Sequence, residues 1–322
     1  MNNLLDYANV FDGIVPWSGE VPRGYLVDFL GTLTDATFRT MFGVDPNTVG
    51  GGHQQTRAPT IEDGEGWFEA VNWVVAAREA RDRYSMVTLG ACYGAQAVGS
   101  CRALQILNPM PYKLAAIEPE PENHEWTRRH MRDNGIDPDQ QWVVKAAISA
   151  QNDPVLFPIG SPGTGAQNCV STNEQVARKI YADEIIAAGC ANKTLLNLMT
   201  NNSTGIMKNL VPGHDFPAEI KLVSAVTLSD ILGPFDVLDY LESDIQQSEI
   251  LVFPPCMEIV KRKVRRVHIG THGKDVHRTL LKLFRKDGWE IVFNYDPNSR
   301  FESPLGDFST NDGILTARNP DL

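Results

Sequence analysis

The chain has 322 residues, 42% of them hydrophobic and 21% charged, so it can bury a large core without disulfide or metal staples. Its 40 acidic residues outnumber 29 Lys and Arg, and the net charge of −11 argues against a general nucleic-acid or anionic-membrane binder, since both need a basic face. Five scattered cysteines, a start without signal-peptide features and no apolar run near the roughly 18 residues that span a bilayer set the expectation of a reduced, cytoplasmic protein.

Residues 1–63 are rich in Gly, Pro, Asp and Thr, with one apolar patch at 25–30, and are expected to form a partly irregular extension with one or two short helices. The main domain is read as 64–322. Trp67, Ala70, Val71, Val74 and Ala77 recur at helical spacing and predict an amphipathic helix over 65–83 that feeds a strand at 85–89. A turn with glycines four apart, Gly90 and Gly94, follows, and Ala97, Val98, Cys101, Leu104 and Leu107 carry a helical period as far as Asn108-Pro109. A second strand, 113–118, ends on an acid, and the helix after it stops at Asn134-Gly135, a normal C-cap. A third strand is predicted at 142–148.

An inserted segment, about 150–220, breaks the rhythm with a possible strand at 155–159, a loop at 161–165 and helices at about 173–188 and 193–200. Beyond it come a short strand at 221–226, a helical turn at 229–232, a fourth main strand at 237–243 and a fifth at 264–270. A helix at 275–286 and a closing pair of strands, 289–295 and 313–318, finish the chain. The basic cluster at 261–266 reads as a solvated surface. Strand and helix alternating in this way imply a parallel sheet with right-handed crossovers, and ligands of such sheets lie across the carboxyl ends of the strands.

Five motifs fall in register along this frame. They are Gly90-Ala91-x-x-Gly94; Glu118-Pro119-Glu120-Pro121 followed by Asn134-Gly135; Asp244-Ile245-Gln246-x-x-Glu249; His268-Ile269-Gly270-Thr271-His272; and Asn311-Asp312-Gly313 with Asn319-Pro320. In this order and spacing, from about residue 22 onward, the chain resembles FkbM-type S-adenosylmethionine-dependent methyltransferases. The resemblance implies a Rossmann-like class I methyltransferase fold, an α/β architecture whose seven-stranded, mostly parallel sheet has an antiparallel last strand. It also implies S-adenosylmethionine as cofactor and O-methylation of a hydroxyl on a small molecule, a sugar or natural product. Carried onto this chain, the cofactor set is Thr88, Gly90, Ala91, Tyr93 and Gly94 at the first turn, with Glu118 for the ribose hydroxyls, Ile148, Asp244 and Gln246.

A hydroxyl acceptor gains from proton removal, worth roughly 10²–10⁴-fold, and the candidate bases are His272 and Asp244 at the exits of the fifth and fourth strands. Alternatively, His272 fixes its loop, while Asp244 and Glu249 position the acceptor through a divalent cation or Glu249 caps the next helix. No metal is expected. His268 reads as a buried structural histidine, and Glu120 ranks second to Glu118 for the ribose hydroxyls, with a solvent-facing position as its alternative.

The chain departs from the family pattern at Thr88, where an acid is usual, at Cys92, where a small polar residue is usual, and at Gln247, where glycine is usual. A rival expectation is therefore a methyltransferase-fold protein with weak or no cofactor binding, acting as a binding or assembly partner. A nicotinamide-dependent oxidoreductase is disfavoured, because Gly90-x-x-x-Gly94 lacks the Gly-x-Gly-x-x-Gly register. Neither nucleic acid nor membrane is expected as a partner, and oligomeric state is not readable.

Overall fold

A computed structural model describes residues 4–159, 162–163 and 219–322. Its centre is a seven-stranded sheet: β1 (Tyr84–Leu89), β2 (Tyr112–Ile117), β3 (Trp142–Val144), β4 (Leu238–Ser243), β5 (Val264–Thr271), β6 (Glu290–Tyr295) and β7 (Gly313–Arg318). In space the strands run β6-β7-β5-β4-β1-β2-β3, with β7 antiparallel to both of its neighbours. The other pairs are parallel. This is the order and polarity of the Rossmann-like class I methyltransferase fold, with the chain-terminal strand inserted antiparallel as expected.

The sheet is the middle of three layers. Helices α1 (Glu65–Glu79), α2 (Ala95–Leu107) and α3 (Pro121–Asp133) cover one face; α4 (Leu228–Leu232), α5 (Glu249–Val252), α6 (Met257–Lys263) and α7 (Lys274–Lys286) cover the other. Alternate strand residues feed the two cores: Met86 and Tyr240 pack toward α1 and α2, while Val87 and Leu241 pack toward α6 and α7. Burial on both faces is why β1 reads as a mostly apolar run; all six residues of β4 are buried as well, although Asp239, Glu242 and Ser243 are polar.

Residues before α1 join the same core through Leu4, Val10, Ile14, Phe29 and Leu30. The segment holds more strand than its composition suggested: Ser18–Val21 pairs with Gly52–Gln55, and Tyr25–Val27 with Leu33–Asp35. A 3₁₀ helix, Ala36–Phe42, is capped by Asp35, whose carboxylate accepts from Thr37 N at 2.8 Å. Phe38 then stacks on Trp126 of α3 at 5.0 Å, and Arg129 of α3 pairs with Asp35.

Three expectations need correction. The third strand stops at Val144; Ala147–Ile148 leaves the sheet to pair in parallel with Ala225–Val226, because the chain must turn off the sheet edge there. The basic cluster is not uniformly solvated: Arg266 is 2% exposed, donating to Asn72 Oδ1 at 3.1 Å and lying 3.9 Å from Glu79. Glu120 is buried, since it caps α3 by accepting from Asn123 N at 2.8 Å. The strand at Val155–Ile159 exists and pairs antiparallel with Glu219–Val223, whereas the helices placed at 173–188 and 193–200 lie outside the described residues. Among the described residues, Cys92, Cys101 and Cys256 are free thiols and no helix is long and apolar enough to cross a membrane.

Candidate active site

The carboxyl ends of β1, β2, β4 and β5 open onto two adjoining cavities that share Gly90, Cys92 and Asp244. The smaller has apolar walls from Ile117, Pro119, Ala147, Ile148, Phe157 and Ile245, with Glu118, Asn123, Gln246 and Ser248 supplying polar edges. That combination suits an aromatic heterocycle joined to a diol. The larger is a cleft of ≈ 750 Å³ bounded by the Gly90 turn, α1, the loop before β7 and the Ala36–Phe42 helix, which contributes Arg39 and Phe42.

At the first turn Gly90 has φ +77, and a side chain there would place its Cβ 2.0 Å from the Asp244 carbonyl oxygen. Glycine is required because two strand-end loops touch, and that contact brings Asp244 beside the turn. The N–H groups of Gly90 and Ala91 both donate to Ile117 O at 3.0 Å, so they hold β2 rather than a ligand. Gly94, φ +80, lines neither cavity; it lets α2 approach Thr127 of α3, whose Cγ2 would stand 2.9 Å from an added Cβ. Tyr93 lines the cleft, and its hydroxyl accepts from Arg39 at 3.0 Å. Cys92 occupies the left-handed region at φ 49, and burial pushes its thiol up, away from the reactive thiolate.

Glu118 sits just past β2, 4% exposed, accepting from Cys92 N at 2.7 Å on one oxygen and from Glu120 N at 2.9 Å on the other. Burial raises it to about 8, against the pull of those two amides. A carboxyl fixed in this way, with lone pairs left over, is built to accept from hydroxyl donors.

Asp244, His272 and Asp312 meet at the exits of β4 and β5 and the entrance of β7. His272 Nε2 lies 3.1 Å from Asp312 Oδ1 and 3.6 Å from Asp244 Oδ1, while the Gln246 amide nitrogen is 3.1 Å from Asp244 Oδ1 and 2.7 Å from His272 Nε2. Burial would lower His272, but Asp244, Asp312 and Glu249 outweigh it and raise the imidazole to about 10. Partial desolvation within the cleft, with the charge of Asp312, raises Asp244 to about 6, with His272 pulling the other way. The Asp244 side chain is 40% exposed and lines both cavities, whereas His272 is 16% exposed and lines neither. Asp244 therefore stands at the front and His272 behind it. The three residues offer ligand atoms within 4.8 Å of one another, a spacing that would also suit a metal ion, which would have to displace the imidazole proton.

Glu249 is fully buried and accepts from Ile245 N at 2.8 Å, closing the loop after β4 from the first turn of α5. His268 is a buried structural residue, its Nδ1 within 2.8 Å of Thr316 Oγ1 and 3.1 Å of Asn72 Nδ2.

Several cleft residues escaped the sequence reading. Asp312 belongs to a quoted motif, yet its role emerges only once β7 is threaded beside β5. Glu69 sits within the apolar pattern of α1 and lines the cleft, where burial and the nearby Glu65 and Asp244 raise it to about 7. Glu242, an acid in a fully buried strand, was a readable signal, since such residues are rarely buried without a purpose.

No family model matches this chain. A relative in Jannaschia sp. (strain CCS1), named "Putative methyltransferase", is 23% identical over 257 residues, covering 77% of each chain. Among solved structures, precorrin-6y C5,15-methyltransferase from Geobacter metallireducens GS-15 is 9% identical, with a TM-score of 0.39 over 81% of this chain and 91% of that one. The O-methyltransferase from Bacillus cereus is also 9% identical, with a TM-score of 0.36 over 81% and 84%. At that distance neither structure bears on the reaction. The chain is thus similar over three quarters of its length to a protein named as a methyltransferase, and its own strand order is that of the class I fold.

Proposed function

We propose that this chain is an S-adenosylmethionine-dependent methyltransferase of the FkbM type that methylates a hydroxyl of a small molecule, a sugar or natural product. The observation that carries the reading is the meeting of Glu118, the Gly90 turn and Asp244 on one pair of adjoining cavities at the carboxyl edge of a class I sheet. The name of the Jannaschia relative supports methyl transfer. The choice of a hydroxyl acceptor rests on Asp244 and His272.

The residues present fit the cofactor. Glu118 would accept from the ribose hydroxyls, and Ile117, Pro119, Ile148, Phe157 and Ile245 would enclose the adenine ring. When bound, the cofactor supplies an electrophilic methyl group on a sulfonium, open to in-line displacement. The protein's task is then alignment, worth about 7–11 kcal/mol, and proton removal. Asp244, ionised above pH of about 6, orients the acceptor hydroxyl and takes its proton. His272, held protonated by Asp312 and Asp244, keeps that carboxylate charged and in place.

Asp244→Asn and His272→Ala, assayed for S-adenosylhomocysteine release against a panel of sugar and polyketide alcohols, should lower kcat by roughly 10²-fold or more. Affinity for S-adenosylhomocysteine should stay within a few-fold. Equal losses in turnover and affinity would reject both assignments. The rival reading, a binding protein without cofactor, is separated by the same titration on the unmodified chain.

A further inference from the structure

The acid missing at Thr88 stands one strand away. Glu242 of β4 is the register partner of Thr88, and the Thr88 hydroxyl donates to Glu242 Oε2. Both belong to a polar row across the sheet, in which Glu242 also pairs with His268 and His268 with Thr316. At the other end Asn72 and Thr316 hold His268 by its Nδ1, and His268 also borders the cleft. The Glu242 end faces the cleft floor beside Gly90, Ala91 and Gly270, although the residue as a whole is only 3% exposed.

The surroundings of this carboxyl are one-sided. The charged groups that bear on it, Asp244, Glu69 and Glu249, are all acids, and the Thr88 hydroxyl, which donates to it, is the one group among them that favours its charge. A buried carboxyl without a cation is costly unless it keeps its proton or a positive group arrives. Glu242 reaches the cleft floor, so a ligand can supply that group.

We propose that Glu242 holds the ammonium of the cofactor's amino-acid end, aimed by Thr88, so that the acid expected at the tip of β1 has moved to the facing position on β4. This rests on the cofactor reading above. Glu69, which shares the cleft from α1, is the natural comparator.

The test is calorimetric, with two probes: S-adenosylhomocysteine and its deamino analogue, which lacks only the ammonium. The unmodified chain should prefer the first by roughly 10–100-fold, the worth of one hydrogen bond to a charged group. In Glu242→Gln, which keeps the side-chain volume, the preference should shrink to within about threefold, while Glu69→Gln retains it. Should Glu242→Gln fail to fold, the transposed variant Thr88→Glu/Glu242→Thr should keep the preference, because the acid stays in the row.

An unmodified chain that binds both probes equally overturns the proposal without any variant. So does a preference that survives Glu242→Gln or disappears in Glu69→Gln. An unmodified chain that binds neither probe refutes the methyltransferase reading itself, a result distinct from those.

Discussion

Replacing Gly90 by alanine tests the contact that builds the site. The new Cβ would lie 2.0 Å from Asp244 O and 3.2 Å from Ile245 Cγ2, so the two loops must part by about 1.5 Å to reach ordinary van der Waals separation. Both loops are tethered, Gly90 N to Ile117 O at 3.0 Å and Asp244 N to Leu89 O at 2.9 Å, so parting them strains or breaks at least one bond. Overpacking costs about 1–3 kcal/mol, a left-handed alanine about 1–2 and a lost hydrogen bond about 1, for a total near 3–6 kcal/mol.

Gly135→Ala is the control. Its φ is +71 and nothing lies within 4 Å of the added atom, so it carries the backbone penalty alone. At roughly 2 °C per kcal/mol for a chain of this size, thermal unfolding should show a drop of about 6–12 °C for Gly90→Ala and about 2–4 °C for Gly135→Ala. S-adenosylhomocysteine affinity should fall at least about tenfold in the first alone, as expected when the groups that position a ligand shift by an ångström or so. Equal drops in melting temperature, with affinity intact in both, would refute the claim that the Gly90–Asp244 contact organises the site.

Gln247 lies at φ 75, in the region that glycine prefers, and Gln247→Gly should raise the melting temperature by about 1–2 °C, the strain relief exceeding the entropy cost of glycine; a lower value contradicts this. Stability should also fall on both sides of a maximum in pH. Burial lowers His130 and His268 to about 4 from 6.5, so the unfolded chain takes up protons that the fold refuses and stability drops as pH falls through that window. Glu118 and Glu249 are raised from 4.5 to about 8 and about 7, so the stability from their retained protons is full below 4.5 and is lost as pH rises through 7 to 8. Melting curves that stay flat from about pH 4 to 9 would contradict these environments.

The central strands were legible because a sheet buried on both faces demands apolar runs, and the helices between them kept their 3.6-residue period. The end of β3 was not legible, since residues 142–148 stay mostly apolar while the chain changes partners after Val144. The paired strands before α1 are three or four residues long, too short for alternation to show. Of the site, Glu118 and Asp244 could be placed at strand ends from order alone, whereas Ile148 reaches the cavity from the segment that has left the sheet. Gly94 could not be told from a ligand-facing glycine, because its partner Thr127 is distant in sequence and close only through α3. The departures at Cys92 and Gln247 gain a physical meaning: both positions have positive φ, where asparagine and glycine fit most easily.

The most direct measurement of the central claim is titration calorimetry of the unmodified chain with S-adenosylhomocysteine, repeated with Glu118→Ala. The cavities beside Gly90, Glu118 and Asp244 should bind it one to one with Kd below about 100 μM, and loss of the Glu118 carboxyl should weaken binding at least about tenfold. No saturable heat at millimolar ligand, or equal affinity with and without Glu118, would contradict it.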